Sequence, residues 1–315
     1  MDVGKVSVRV GGVGVYYRRF FDDADDYFHR ICAEHSFQAL TEGVKPSKAH
    51  RTGIYLTPVR QEGDALRFHL LRCSTNLSGP TENFCATDHR IVDALNREAA
   101  SIFRDHAPLN HVLAQIYPNA PATDGQKQTK AKISAHADKT KDMPLDGIMA
   151  FCTFYDGLDK LAPLATDPFD YGYKGKSGLT RLQFRLKESA IGTAGLLPEF
   201  SVTLYPNSVF FMPLSTNRLY THAIQSSMLN AEMLPTRLGY VVRCSKTEAI
   251  HKGGATFLQV GGQLVPMEPP TEHGMLELRA LYAEENRTTG FIDYGDKFRF
   301  SMNEGDYKAP DHKRE

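Results

Sequence analysis

The sequence predicts an α+β protein, mainly β, with a double-stranded β-helix (jelly roll) core and helices packed outside it. Three observations lead there. From His111 onward, apolar segments of strand length recur at short intervals between turn-forming residues. One of them, 180–187, alternates apolar and polar residues as a strand with one buried face does. Before residue 111, by contrast, two amphipathic segments have helical spacing, which suits helices leaning on a larger sheet.

Taken in order, residues 7–17 read as a strand broken by Gly11, Gly12 and Gly14. Phe20, Ala24, Tyr27, Phe28, Ile31 and Cys32 then recur at helical spacing, with Asp22 and Asp23 placed to cap. Residues 52–60 and 65–73 read as strands around a Glu62-Gly63-Asp64 turn. A helix follows over 88–103, with Ile91, Leu95, Ala99 and Ile102 on one face. Strands are predicted at 112–117, at the segment leading into His136, and at 147–155. The stretches 119–130 and 156–177 read as irregular. Residues 200–205 and 209–212 suggest a hairpin about Pro206-Asn207. His222 and 237–243 fall on two further strands, 257–265 on another, and 277–285 on a short helix before an aromatic tail through Phe291, Tyr294, Phe298, Phe300 and Tyr307. The expected organisation is an N-terminal scaffold and substrate-covering region (1–108), the jelly-roll core (109–250) and a C-terminal extension packed on it (251–315), integrated as one domain.

Composition narrows the setting. With 315 residues, 41% hydrophobic and 23% charged, the chain can bury a sizeable core. Its 37 basic and 37 acidic residues balance, so nothing in the whole-chain charge draws it to nucleic acid or to an anionic membrane. Cys32, Cys73, Cys85, Cys152 and Cys244 are odd in number and scattered, which argues against a disulfide framework or a zinc–thiolate site. With neither a signal-peptide profile nor a membrane-length apolar run, the expectation is an intracellular protein, cytoplasmic or nuclear, without a membrane. The tripeptides Asn76-Leu77-Ser78 and Asn286-Arg287-Thr288 fit the glycosylation pattern only as chance matches do.

The chemistry concentrates in His136-Ala137-Asp138, answered downstream by His222. Two imidazoles and one carboxylate bind iron(II) on one face and leave the opposite positions open. Residues two apart on an extended segment share a side, so His136 and Asp138 point together. Alone, His-x-Asp is a weak signal, and a surface histidine near an aspartate is its bland alternative. Arg237 and Arg243 lie six apart on one strand, hence on one face, expected on the strand next to His222 in the same sheet. If that face is interior, the two arginines demand anionic partners. The bland alternative is a solvated pair on the outer face. A zinc hydrolase would use the same three ligands but gives the arginines no task.

Residues 109–117, the 136–139 loop, 217–224 and 237–243 together resemble the AlkB family of iron(II)/2-oxoglutarate dioxygenases. That family carries an Asn-x-Tyr pair, His-x-Asp…His ligands and an Arg-x5-Arg strand in this order. The resemblance covers roughly residues 109–245 and implies iron(II) on His136, Asp138 and His222, with O2 and 2-oxoglutarate as co-substrates. Arg237 would pair with the C5 carboxylate of 2-oxoglutarate, and Arg243, Tyr117 and Gln115 would be further contacts. The reaction would be hydroxylation or oxidative demethylation. Gln115 departs from the family's Asn, the 119–130 loop is longer, and Thr140 replaces a common acidic residue, with Asp142 two positions on.

By the same resemblance the substrate would be a modified nucleobase in DNA or RNA, presented single-stranded or flipped. A small metabolite or a protein side chain is the alternative, and a catalytically silent binding module is disfavoured by the complete ligand set. Candidate substrate contacts are Thr140, Asp142, Tyr171 and Tyr173, with Tyr55 as another stacking surface. Three stretches, 45–51, 127–141 and 174–187, are locally basic and could meet phosphates, although such lysines more often serve solubility.

Overall fold

Eight strands carry the core of the computed structural model, which describes residues 2–40, 51–72, 77–125 and 127–312. They are β1 (His111–Tyr117), β2 (Ile133–His136), β3 (Ile148–Asp156), β4 (Arg181–Leu186), β5 (Glu199–Thr203), β6 (Ser208–Pro213), β7 (Tyr220–Gln225) and β8 (Thr236–Arg243). The chain passes back and forth between two antiparallel sheets. The larger contains the order β6-β3-β8-β1, and the smaller is β5-β4-β7-β2.

The N-terminal region extends the larger sheet at both edges. Gly14–Tyr17 pairs with β6, and Thr52–Thr57 pairs with β1. This sheet has two differently used faces, as the two-residue period of a strand requires. Ala150, Cys152, Phe154, Leu238, Tyr240 and Val242 point outward into a core shared with two helices, α1 (Tyr27–Glu34) and α2 (Ala86–Ile102). Met149, Phe151, Phe210 and Met212 point inward, against Leu182, Phe184, Tyr220 and Ile224 of the smaller sheet. The chain is thus mainly β with helices on one outer face, and the inner face between the sheets is where the polar site lies.

α2 buries Ile91, Leu95 and Ala99 on the face that the sequence marks, and Val92 beside them. Its first turn is closed by Asp88, whose Oδ2 accepts the Cys85 N–H at 2.7 Å. α1 begins later than expected, because Asp23–Asp25 form a separate 3-10 turn and Asp26 takes the N-cap position. Two other helices are α3 (Leu214–Leu219) and α4 (Glu272–Arg287), the latter about a turn longer at its start than the apolar spacing indicates.

Several expectations are corrected. β5 and β6 are not a hairpin: β5 pairs with β4 and β6 with β3, so the Pro206-Asn207 turn crosses between sheets. Residues 156–177 are not irregular but hold a small antiparallel sheet of Ala162–Leu164, Asp167–Tyr173 and Lys176–Ser177. The strand expected over 257–265 is two, Ala255–Val260 and Gln263–Pro266, within a five-stranded sheet that also takes in Ala65–Leu70. α4 has its own small core of Leu278, Tyr282, Ile292, Tyr294, Phe298 and Phe300. Among the described residues no helix is long and apolar enough to cross a membrane. Cys32, Cys152 and Cys244 are free thiols, and Cys73, Asn76 and residues 45–50 lie outside the described residues.

Beneath α2, the His35 ring bridges two carboxylates, Nδ1 to Glu82 at 2.9 Å and Nε2 to Asp88 at 2.7 Å, while Tyr240 donates to Asp88 at 2.7 Å. Burial alone would lower the imidazole pKa, but the bonds to Asp88 and Glu82 outweigh it and raise it to about 9 from 6.5. A folded-state value above the unfolded one means stability that is present in full below pH 6.5 and is lost as pH rises through about 9. The unfolding free energy, measured by urea denaturation, should therefore fall across that window by up to about 3 kcal/mol. His35→Gln should remove the slope; an unchanged slope would place the titration elsewhere.

Candidate metal centre and anion pocket

The two halves of the ligand set meet because β2 and β7 are neighbours. His136, at the end of β2, is the register partner of His222 in the middle of β7, and their rings are 4.5 Å apart between centroids. Asp138 follows two residues later, on the loop leaving β2. One ligand atom from each of His136, Asp138 and His222 lies within 4.8 Å of the others. The structure therefore brings together the three residues that the sequence singles out.

Their surroundings fit a divalent metal. The His136 Nδ1 lies 2.9 Å from the Ser134 carbonyl; donation there leaves Nε2, 3.6 Å from Asp138 Oδ1, with a lone pair. Arg243 donates twice to the other oxygen, Oδ2, from Nε at 3.1 Å and an Nη at 2.9 Å, so Oδ1 stays available. Burial would raise the Asp138 pKa, yet Arg243 and the two histidines hold the carboxyl well below the usual range. His222 is buried, flanked by Phe151 and Phe184, and its Nδ1 has no hydrogen-bond partner. Burial, with His136 beside it, pushes its pKa down to about 3, so the ring is neutral, as a metal ligand must be. His136 is the open side of the trio, with its side chain 35% exposed.

Asn217, noted in the sequence only as part of a block, holds Asp138 from α3. Its Oδ1 accepts the Asp138 N–H at 2.8 Å and its Nδ2 donates to the Asp138 carbonyl at 2.9 Å. Nothing in local periodicity marks this role, because the contact spans 79 residues.

Across from the ligands, the inner face of the larger sheet offers two polar rows. In one, Arg237 of β8 pairs in register with Tyr117 of β1 and Tyr155 of β3; in the next, Gly239 pairs with Gln115 and Thr153. The Arg237 guanidinium lies 4.3 Å above the Tyr117 ring. Tyr117 is oriented by its own bond to Gln115 Oε1 at 2.6 Å. Arg237 leans over Gly239, where a Cβ would come within 2.7 Å of its Nη1. Among the described residues no carboxylate pairs with Arg237, and both its Nε and the Thr153 hydroxyl are buried without a partner. A buried cation next to an orphaned hydroxyl is a place for an anion. Thr153 carries no sequence signal beyond its place in an apolar strand.

Four expectations need revision. β8 lies in the opposite sheet from His222, so the arginines face the histidines rather than stand beside them. Arg243 is engaged with Asp138. Asp142 is not offered to a substrate, because its buried carboxylate is held by Arg72 at 2.6 Å, Lys141 at 3.2 Å and Thr247 at 2.9 Å. Thr140 is likewise taken, by the carboxylate of Glu285 in α4. Tyr171 and Tyr173 sit on the small 162–177 sheet; Tyr171 packs on the inner core and Tyr173 is exposed. A second convergence of ligand types, Glu34, His35, Cys85 and Asp88, already has its carboxylates bonded to Thr87, His35 and Tyr240 and reads as structural.

No protein-family model matches the chain, and no curated protein does. Among solved structures, "The structure of OsALKBH1" is similar at 12% identity and a TM-score of 0.42, over 75% of this chain and 99% of that one. A non-heme α-ketoglutarate-dependent epimerase, SnoN from nogalamycin biosynthesis, is similar at 10% identity and a TM-score of 0.40, over 75% and 80%.

Proposed function

We propose that this protein is an iron(II)- and 2-oxoglutarate-dependent dioxygenase. The observation that carries the reading is the pairing of a converged His136–Asp138–His222 trio with an uncompensated buried cation, Arg237, on the opposing sheet. Either feature alone would suit a different chemistry. Together they offer a metal site on the smaller sheet and a separate anion site on the inner face of the larger one, which a zinc hydrolase would not need. The sheet orders β6-β3-β8-β1 and β5-β4-β7-β2 support the jelly roll expected from the sequence.

In this reading His136, Asp138 and His222 hold iron(II), and Arg237, Tyr117, Gln115 and Thr153 receive 2-oxoglutarate. The bound metal and co-substrates supply oxidative decarboxylation of 2-oxoglutarate to succinate and carbon dioxide, coupled to hydroxylation of a substrate C–H bond. The chain's own part is placement. Arg237 binds the distal carboxylate with its planar fork, and the Tyr117 ring holds that fork in plane. Arg243 keeps Asp138 ionised, and Phe151 and Phe184 exclude water behind His222.

The substrate proposed is a modified nucleobase, supported by the AlkB-like motif order. One observation favours the second reading, a small metabolite or protein side chain. Much of the charge in the basic stretches is turned inward. Lys130 donates to Ser227 and Leu229 carbonyls, Lys139 to Tyr282, Lys141 to Asp142 and Lys187 to Glu285 and Thr288.

His136→Ala and Asp138→Ala should abolish 2-oxoglutarate turnover. Arg237→Ala should chiefly raise the 2-oxoglutarate requirement, roughly ten- to a hundredfold for a lost charge-assisted contact. Gly239→Val should act in the same direction by displacing the guanidinium. Succinate release against 2-oxoglutarate concentration measures each, and wild-type behaviour in all of them would refute the assignment. Succinate formation stimulated by a methylated oligonucleotide, and weakened steeply by salt, would identify a nucleic-acid substrate. Salt-insensitive turnover that no oligonucleotide raises would select the second reading.

A further inference from the structure

The loop carrying His136 and Asp138 leaves the edge of the smaller sheet, where no neighbouring strand can satisfy its backbone. Side chains do so instead. Asn217 takes the Asp138 N–H from one side. From the other comes the last turn of α4. Asn286 Oδ1 accepts the N–H of Ala137, the residue between the two ligands, at 2.7 Å, and Glu285 accepts the Thr140 N–H at 3.2 Å.

The grip is itself held in place. Asn286 Nδ2 donates to the Tyr282 carbonyl at 3.2 Å, which fixes the amide's orientation, and Lys139 Nζ reaches the same carbonyl at 3.1 Å. Lys187, just past β4, closes the helix end with bonds to the Glu285 carbonyl at 2.6 Å and the Thr288 carbonyl at 3.0 Å. α4 does not need Asn286 for docking. Leu278 and Tyr282 pack it into its own aromatic core, and Tyr282 donates to the Arg72 carbonyl at 3.1 Å. The Asn286 acceptor is therefore spent on the ligand loop.

We propose that Asn286 is a positioning residue of the metal centre. Through the Ala137 N–H it fixes the spacing and orientation of His136 and Asp138, so that the C-terminal extension completes the site. This rests on the metal-centre reading above.

The test is a Co²⁺ titration of the full chain, followed by calorimetry and the visible spectrum of the bound ion, with thermal unfolding as a control for folding. Asn286→Leu removes the acceptor and should weaken Co²⁺ binding roughly ten- to a hundredfold and alter the spectrum. Asn286→Asp keeps an acceptor for the Ala137 N–H while losing the Nδ2 donor, and should bind within about threefold of wild type. Wild-type affinity in Asn286→Leu, or equal weakening in Asn286→Asp, would overturn the proposal. A wild-type chain that binds no Co²⁺, while His136→Ala behaves identically, would instead bring down the metal-centre reading and this inference with it.

Discussion

A carboxylate taken out of water stays ionised only if a positive charge comes with it, and for Asp138 that charge arrives from the opposite sheet. Arg243 projects from β8 and closes on one Asp138 oxygen with two hydrogen bonds, both groups nearly buried. The contact ties the larger sheet to the loop of the smaller one. It also divides the labour of the carboxylate, one oxygen to the protein and one toward the histidines. The bridge holds the ligand loop against the larger sheet, next to the β2–β7 register that sets His136 against His222.

Much of this was legible in the sequence because it depends on two-residue periodicity. His136 and Asp138 share a side for that reason, as do Arg237 and Arg243, and strict alternation over 180–187 gave a strand with one buried face. What alternation does not encode is which sheet a strand joins. β5 and β6 look like a hairpin because length, apolar content and a Pro-Asn turn are the same whether the chain folds back or crosses over. The placement of β8 opposite β7 was lost for the same reason. The 162–177 sheet was hidden by its short, polar strands, two of them with three residues or fewer.

Side-chain partners at long range were the least legible part. Asp142 and Thr140 follow the ligand loop so closely that they read as substrate contacts, yet Arg72 and Glu285, 70 and 145 residues away, claim them. Lysines that suggested a phosphate-facing surface prove to be bound to backbone carbonyls at loop ends and at the end of α4. A charged residue in a polar stretch can meet solvent or an orphaned carbonyl equally well, and only the tertiary fold decides between them.

Arg237 poses the converse problem, a buried cation with no fixed counter-charge among the described residues. The solution is neutral. The face of Tyr117 carries partial negative charge toward the guanidinium, and Gln115 orients that ring by accepting its hydroxyl. A carboxylate in place of either would have stabilised the empty pocket and competed with an anionic ligand for the same fork. Geometry completes the arrangement. Six residues of strand separate the backbones of Arg237 and Arg243 by about 20 Å, far more than a five-carbon diacid spans. Arg237 shortens the gap by lying along the strand over Gly239, a course that a Cβ at that position would obstruct. The absence of one side chain thus lets the Arg237 guanidinium lie along the strand on the side of Arg243.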